Sequence, residues 1–319
     1  MKKILCVLMS CLLFVMAGCS GHSKNLKFGA ADIGGVYYSF ASTFTQLADK
    51  EIDGYTFETK TTAGSVANLR LISDGYIDLA IVQADLLSDA YNATGTFADK
   101  KYQKGYKAVA SLYTECCQIV VRKDSGITGI DDLINKTVSV GASESGSEKN
   151  AEQILKMSGI PDELINKVNM DYTEAAEKLK AGEIDAFFCT AGTRTEVIGQ
   201  LSKECDIRLI SLDDKCIDKM LSAYSLCEKY TIPAGTYNGQ DSDVTTIGVK
   251  AVLIAKQSLS DDVIKNVTKT IYEHADDFKY ATSLDISFDI NTAADGVDIP
   301  FHSGAAAYYT ERGINVLTE

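Results

Sequence analysis

The stretch TFETKTTAGSVANLRLISDGYIDLAIVQAD, residues 56–85, decides the fold class of this 319-residue chain. Residues 56–61 and 79–82 are β-rich runs of strand length, and residues 66–74 carry apolar side chains at helical spacing. Strand, helix and strand within about 30 residues are typical of the βαβ unit. The stretch therefore predicts an α/β protein with parallel strands.

The same alternation continues along the rest of the chain. At 260–271, Ser260 is a predicted N-cap, and Val263, Ile264, Val267 and Ile271 share one face of the helix that follows. Further predicted strands are 26–30, 109–112, 119–121, 138–140, 186–189 and 249–255, and further predicted helices are 38–49, 148–158 and 174–180. Such alternation favours one α/β architecture throughout.

Five turns between strand and helix are rich in glycine and hydroxyl residues, namely 32–38, 62–65, 83–85, 143–147 and 190–193. In open α/β sheets, ligands bind at the carboxyl ends of strands beside helix amino termini, where free N–H groups suit an anion. Glycine also lets the backbone approach a ligand closely. We therefore expect a cradle for carboxylate oxygens, although each turn is equally explained by helix capping alone.

The amino terminus is typical of an exported lipoprotein. Lys2 and Lys3 precede an apolar run at 4–15 that is too short to span a bilayer comfortably, and Met-Ala-Gly leads into Cys19. This pattern looks like a bacterial lipobox, so residues 1–18 are a predicted signal peptide, Cys19 the lipidated residue and 19–25 a tether. An ordinary cleavage site is the alternative. We expect an extracytoplasmic protein, lipid-anchored to the cell membrane in the periplasm or at the cell surface.

Composition excludes several classes of function. The net charge is -13, and the sequence has no block of basic residues that could follow a phosphate backbone. Both features argue against nucleic acid as a partner. No CxxC occurs and the three histidines lie far apart, so we predict no metal site and no cofactor. No GxSxG, SxxK or Walker loop is present, which disfavours an enzyme. The sequence does not decide whether two of the residues Cys205, Cys216 and Cys227 form a disulfide.

Several of these same motifs make the chain resemble the TAXI group of solute-binding proteins, which serve tripartite ATP-independent periplasmic (TRAP) transporters. The matching runs cover nearly the whole mature chain in order: 34–38, 62–71, 78–85, 121–127, 184–192, 232–237 and 299–305. The resemblance implies a two-lobed, type II periplasmic-binding-protein-like α/β fold with a ligand cleft between the lobes. It also implies a glutamate-like or glutamine-like ligand, a small carboxylate or amino acid, delivered to a TRAP membrane permease.

The first loop and two further positions depart from the family pattern. Ala84 stands where serine is common, and Arg194 where proline is common. Asp32 could hold an ammonium and Arg194 a carboxylate, or both could point to solvent. The predicted ligand-binding residues are Asp32, Gly35, Val36, Tyr37, Tyr38, Ala63, Gly64, Ser65, Asn68, Gln83, Asp85, Tyr113, Ser143, Ser145, Gly146, Ser147, Thr190, Ala191, Gly192 and Arg194. For the three tyrosines, core packing is the competing explanation.

The predicted lobes follow from the expected topology. Lobe I comprises 26–115 and 243–319, lobe II comprises 116–242, and a monomer is the working expectation for a protein that opens and closes. A surface sensor or adhesin with the same fold is the alternative function, because its cleft would look alike.

Overall fold

The computed structural model describes residues 23–98, 102, 105–283 and 288–319. The predicted signal peptide and Cys19 lie outside these residues. The strands are β1 (Lys24–Gly29), β2 (Tyr55–Lys60), β3 (Leu79–Gln83), β4 (Tyr106–Arg122), β5 (Thr137–Ser139), β6 (Asn166–Val168), β7 (Ala186–Ala191), β8 (Ile207–Leu209), β9 (Cys227–Ile232) and β10 (Val244–Lys256). Because β1 begins at Lys24, two residues of the predicted tether belong to the sheet.

Ten α-helices occur in the described chain, and five of them (36–51, 65–73, 146–158, 172–181 and 261–273) fall on helices that the sequence predicts. They are α1 (Val36–Glu51), α2 (Ser65–Ser73), α3 (Ala84–Asn92), α4 (Gly146–Ser158), α5 (Tyr172–Ala181), α6 (Glu196–Glu204), α7 (Asp214–Ala223), α8 (Asp261–Glu273), α9 (Ala275–Thr282) and α10 (Ser303–Thr310). Ser260 stands at the N-cap position of α8, and the four apolar residues predicted to share a face are buried. No described helix is long and apolar enough to cross a membrane.

The ten strands of the described chain form one mixed sheet. Eight of them lie in the order β2-β1-β3-β10-β4-β7-β5-β6, while β8 pairs with β4 and β9 pairs with β10. Strands β1, β2 and β3 are parallel to one another, and so are β5, β6 and β7. Between these two groups lie β4 and β10, which are antiparallel to each other and to their outer neighbours β7 and β3. The all-parallel sheet expected from the βαβ pattern is thus interrupted by two long strands that join its halves.

These two central strands decide how the halves are connected. The predicted boundary after residue 115 falls inside β4, and the predicted return at 243 directly precedes β10. Both strands pair with partners on either side, so each lies partly in one half and partly in the other. A larger hydrophobic core surrounds the β1–β3 side, and a smaller one lies under β5 and α4. The residue boundaries of the two lobes stay a prediction.

The six cysteines of the described chain are all free thiols. Five are buried, and Cys205 is half-buried. A disulfide among Cys205, Cys216 and Cys227, which the sequence left open, is therefore not formed in this structure.

Candidate functional site

A cavity lies between the two halves of the molecule, where the ends of β3 and β7 meet the middle of β4. The space between its walls, counted out into open solvent, is about 430 Å³. The structure brings thirteen of the predicted residues to its lining: Asp32, Gly35, Val36, Tyr37, Ala63, Gly64, Ser65, Gln83, Ser145, Gly146, Ser147, Thr190 and Ala191.

Helix amino termini from both halves face this cavity. On one side are the starts of α1 and α2, and on the other the starts of α4 and α5. Gly64, the N-cap residue of α2, has φ 118° and ψ −149°, a conformation that is essentially confined to glycine. The first N–H groups of a helix have no acceptor within the helix. These termini therefore present hydrogen-bond donors to an anionic group.

Three serines at the cavity already have hydrogen-bonded protein partners. Ser65 Oγ accepts from the Gln83 N–H (3.1 Å), and Ser145 Oγ caps α4 by accepting from the Glu148 N–H (3.0 Å). Ser147 Oγ accepts from the Thr190 N–H (2.8 Å) and is also bonded to the Tyr172 hydroxyl. A hydroxyl carries one donor besides its acceptor sites. Capping and binding are therefore compatible at Ser65 and Ser145, since neither bond uses the O–H hydrogen.

Glu115 lies at the floor of the cavity and is 3% exposed. The Tyr37 hydroxyl donates to its Oε2 atom over 2.8 Å. Burial raises the pKa of Glu115 to about 8, and the hydrogen bonds from Tyr37 and Gln83 oppose that rise. Lysine, arginine and histidine are missing from the described residues that line the cavity, so no nearby cation offsets the burial.

Two further side chains at the floor carry unpartnered polar atoms. Gln83 Oε1 and Thr190 Oγ1 are buried without a hydrogen-bond partner among the described residues, although Gln83 Nε2 donates to Asn150 Oδ1 over 3.0 Å. Gly146 faces Gln83 so closely that a Cβ atom there would overlap its amide group. Buried polar atoms are costly unless paired. These atoms are therefore positioned to be satisfied by a ligand.

Asp32 lies near the mouth and is half-buried. Burial raises its pKa to about 6, and the neighbouring negative charge of Asp171 adds to that effect. Asp32 and Glu115 are the two acidic groups of the described lining. Asp32 accepts a hydrogen bond from the Tyr172 N–H at the start of α5, so this acceptor lies beside a helix terminus.

The structure places seven predicted residues outside the lining. Asn68 is a structural residue, because its amide donates to the carbonyls of Ala30 (2.7 Å) and Ile81 (2.9 Å) and thereby ties β1 to β3. Asp85 is buried with both carboxylate oxygens unpartnered, and its pKa is raised to about 6, mainly by burial. Arg194 is exposed and does not contact the cavity. The other four are Tyr38, Tyr113, Ser143 and Gly192.

Sequence reasoning missed four lining residues, namely Ala31, Glu115, Ala142 and Tyr172. Glu115 carried no local signal, because the sequence predicts separate strands at 109–112 and 119–121 with Glu115 in the connection between them. Tyr172 carried a usable signal: Asp171 caps α5 by accepting from the Glu174 N–H (2.7 Å), which marks a further strand-to-helix turn.

Contacts across the cavity hold the two halves together. Arg70 on α2 forms a bidentate ion pair with Glu144, with distances of 3.1 Å (Nε–Oε1) and 2.6 Å (Nη2–Oε2). The Ala67 N–H donates to the Glu144 carbonyl over 3.1 Å, and Glu144 has a left-handed backbone with φ 65°. The structure thus shows the halves closed on each other. Within the described ranges, no cluster of side chains is suited to a metal ion.

Comparison with known proteins supports the architecture. A model of the NMT1-like family matches residues 28–313. Among solved structures, PhnD1 from Prochlorococcus marinus in complex with methylphosphonate has a TM-score of 0.58 at 12% identity, covering 83% of this chain and 93% of that chain. A putative L-cystine ABC transporter protein from Listeria monocytogenes has a TM-score of 0.52 at 14% identity, with 82% and 94% covered.

An ancestral arginine-binding protein bound to arginine is also similar, with a TM-score of 0.50 at 15% identity and 82% and 98% covered. At these identities the likeness establishes the fold. The predicted fold class is confirmed: the chain has the two-lobed α/β fold of type II periplasmic binding proteins.

Proposed function

The chain belongs to the NMT1-like family, and from that premise we propose that it is an extracytoplasmic solute-binding protein for a small carboxylate or amino acid. The observation that carries this proposal is the composition of the interlobe cavity. Helix amino termini supply donors there, whereas Glu115, Gln83 and Thr190 supply buried polar atoms, two of them unpartnered. Such a site suits binding and orienting a small polar molecule.

Closure of the cavity supports a role in delivery. The ion pair between Arg70 and Glu144 and the bond between Gln83 and Asn150 span the cavity, so a bound molecule would be enclosed between the lobes. A ligand that contacts both sides favours the closed state by its difference in affinity for the two states. We propose that a membrane permease of the TRAP type recognises this closed state, and that Cys19 anchors the protein by its lipid.

A thermal-shift screen of the purified protein against amino acids and dicarboxylates tests the proposal. A ligand that binds only the folded state adds about 2.7 kcal/mol at 100 times its Kd. We expect glutamate, glutamine or a close relative to raise the melting temperature and to be recovered chemically unchanged. If no carboxylate or amino acid does so, even after unfolding and refolding to strip bound ligand, the proposed ligand class is wrong. A sensor or adhesin function would then be favoured.

The Thr190→Val variant tests whether the ligand binds in this cavity. The Thr190 hydroxyl has no partner among the described residues, so the variant should keep or slightly raise the stability of the free protein. We expect it to weaken binding about tenfold, the loss of one hydrogen bond of about 1.4 kcal/mol. Thr43→Val, on α1 and outside the cavity, is the control and should leave affinity unchanged. Equal affinities in all three proteins would place the ligand elsewhere.

A further inference from the structure

The floor of the cavity offers acceptors where a site for simple carboxylates would offer donors. Gln83 Oε1 is buried, faces the cavity and has no partner in the described chain, and Glu115 beside it accepts from the Tyr37 hydroxyl at 2.8 Å. Asp32 adds a third acceptor nearer the mouth. The acceptors of Gln83 and Glu115 together suit a ligand group with several N–H donors.

On this basis, and resting on the proposed function, we propose that Glu115 recognises a cationic ammonium group of the ligand and loses its own proton to solvent as that group binds. The ligand class is then an α-amino acid or another acid that also carries an amine. Its carboxylate would face the helix amino termini at Ser65 and Gly146, and its ammonium would face Glu115 and Gln83.

The surroundings of Glu115 explain why a proton is held there before binding. The titratable groups that face it are Tyr37 from α1, Asp85 from the start of α3, Tyr113 and Cys116 from β4, Tyr172 from α5 and Cys189 from β7. All are hydroxyls, thiols or a carboxyl, and none of them is a cation. An ionised Glu115 would therefore be buried with only hydrogen bonds to stabilise it.

The proton balance separates two ways of binding. With an ammonium, the carboxyl O–H of Glu115 breaks, its proton passes to water, and the carboxylate accepts N–H donors. With a carboxylate at the same place, Glu115 keeps its proton and donates it. In the first case affinity rises as pH increases towards 8; in the second case it is almost constant below the Glu115 pKa of about 8 and falls above it. The two cases thus differ below pH 8 by the presence or absence of a rising affinity with proton release, which calorimetry can measure.

The experiment is isothermal titration calorimetry with L-glutamate and with glutarate, which lacks the amino group. Titrations at pH 7 in buffers of different ionisation enthalpy count the protons released, and a series from pH 6.5 to 8 gives the slope. We expect the release of nearly one proton per L-glutamate bound at pH 7. The affinity for L-glutamate should rise up to tenfold per pH unit, and the affinity for glutarate should be at least tenfold lower. Asp32 titrates near 6, so it contributes little above pH 7.

The Glu115→Gln variant keeps an acceptor for the Tyr37 hydroxyl but removes the ionisable group. It should abolish proton release and lower the affinity for L-glutamate at least tenfold. Glu228→Gln is the matched control, because Glu228 lies on β9, outside the cavity, and accepts from Thr114. It should retain wild-type proton release. If Glu115→Gln fails to fold, the dependence of the wild-type affinity on pH still tests the role of Glu115.

Tight glutarate binding, absence of proton release, or an affinity that stays constant or falls between pH 6.5 and 8 would overturn the role of Glu115 and leave the solute-binding function standing. Absence of binding by both probes would instead refute the glutamate-type ligand of the proposed function, and this inference with it.

Discussion

The floor and the rim of the cavity both carry acidic side chains, but the same carboxyl chemistry has different consequences in the two places. At the floor, Glu115 is 3% exposed and faces no cation, so its pKa rises to about 8. At the rim, Glu144 is 39% exposed and pairs with Arg70. A buried carboxyl without a cation is a strongly perturbed group, whereas a half-exposed ion pair contributes little. We therefore expect the floor to select the ligand and the rim to adjust how readily the lobes close.

The largest effect should come from removing the ionisable group at the floor. Because the pKa of Glu115 is about 8 in the folded state and about 4.5 unfolded, the native state binds the extra proton between these values. The free energy of unfolding should therefore fall as pH rises from 5 to 8, by up to about 1.4 kcal/mol for each pH unit. Glu115→Gln should remove this part of the slope and be the more stable protein at pH 8 without ligand.

Urea titrations of both proteins at pH 5, 6.5 and 8 measure that difference. If the free energy of unfolding depends on pH in the same way in both proteins, Glu115 is ionised in the native state. The floor and the rim would then not differ in the way described above.

Tyr37→Phe sharpens the comparison by removing the hydroxyl donor at the floor. We expect a loss of about 1–3 kcal/mol, larger at pH 8 than at pH 6, because the Tyr37 bond is stronger to an ionised Glu115. Tyr76→Phe is the control, since Tyr76 is largely exposed, and its stability should match the wild type at both pH values. A loss for Tyr37→Phe that is independent of pH would mean that the hydroxyl only fills space.

The smallest effect should come from the rim. Arg70→Gln removes the ion pair with Glu144, for which we expect a change of about 0–1 kcal/mol, or at most about fivefold in ligand affinity. The wild-type affinity should weaken with added salt more than that of the variant, because the pair is partly exposed. Calorimetry at low and high ionic strength, with Glu144→Gln and the double variant, isolates the coupling. If removing the ion pair costs about 2 kcal/mol or more, the rim contributes as much as the floor, which would contradict the comparison.

The helix starts around the cavity could be predicted from local sequence. Gly64 and Ser65, and likewise Ser145 and Gly146, form cap-like turns whose chemistry depends on a few consecutive residues. Local patterns also misled where a residue is polar for a structural reason. Asn68 lies in α2, three residues after Ser65, yet its amide donates to the backbone carbonyls of Ala30, which follows β1, and of Ile81 on β3.

Strand β4 shows the limit of local reasoning. Its two apolar runs, 109–112 and 119–121, predict separate strands, but they form one strand from Tyr106 to Arg122 that passes through both halves. Glu115 lies between the runs, so the local pattern assigns it to a connection. Only the pairing of β4 with β10 and β7 places its side chain at the cavity floor.

The sequence by itself determined the α/β class, the alternation of strands and helices over part of the chain, and most of the helix starts that surround the cavity. These features depend on periodicity and capping, which act over a few residues. The tertiary structure alone decided that β4 and β10 run antiparallel through both lobes, that Arg194 stays exposed and that Glu115 is buried without a cation. Burial and charge environment arise from residues far apart in the chain, so no local pattern specifies them.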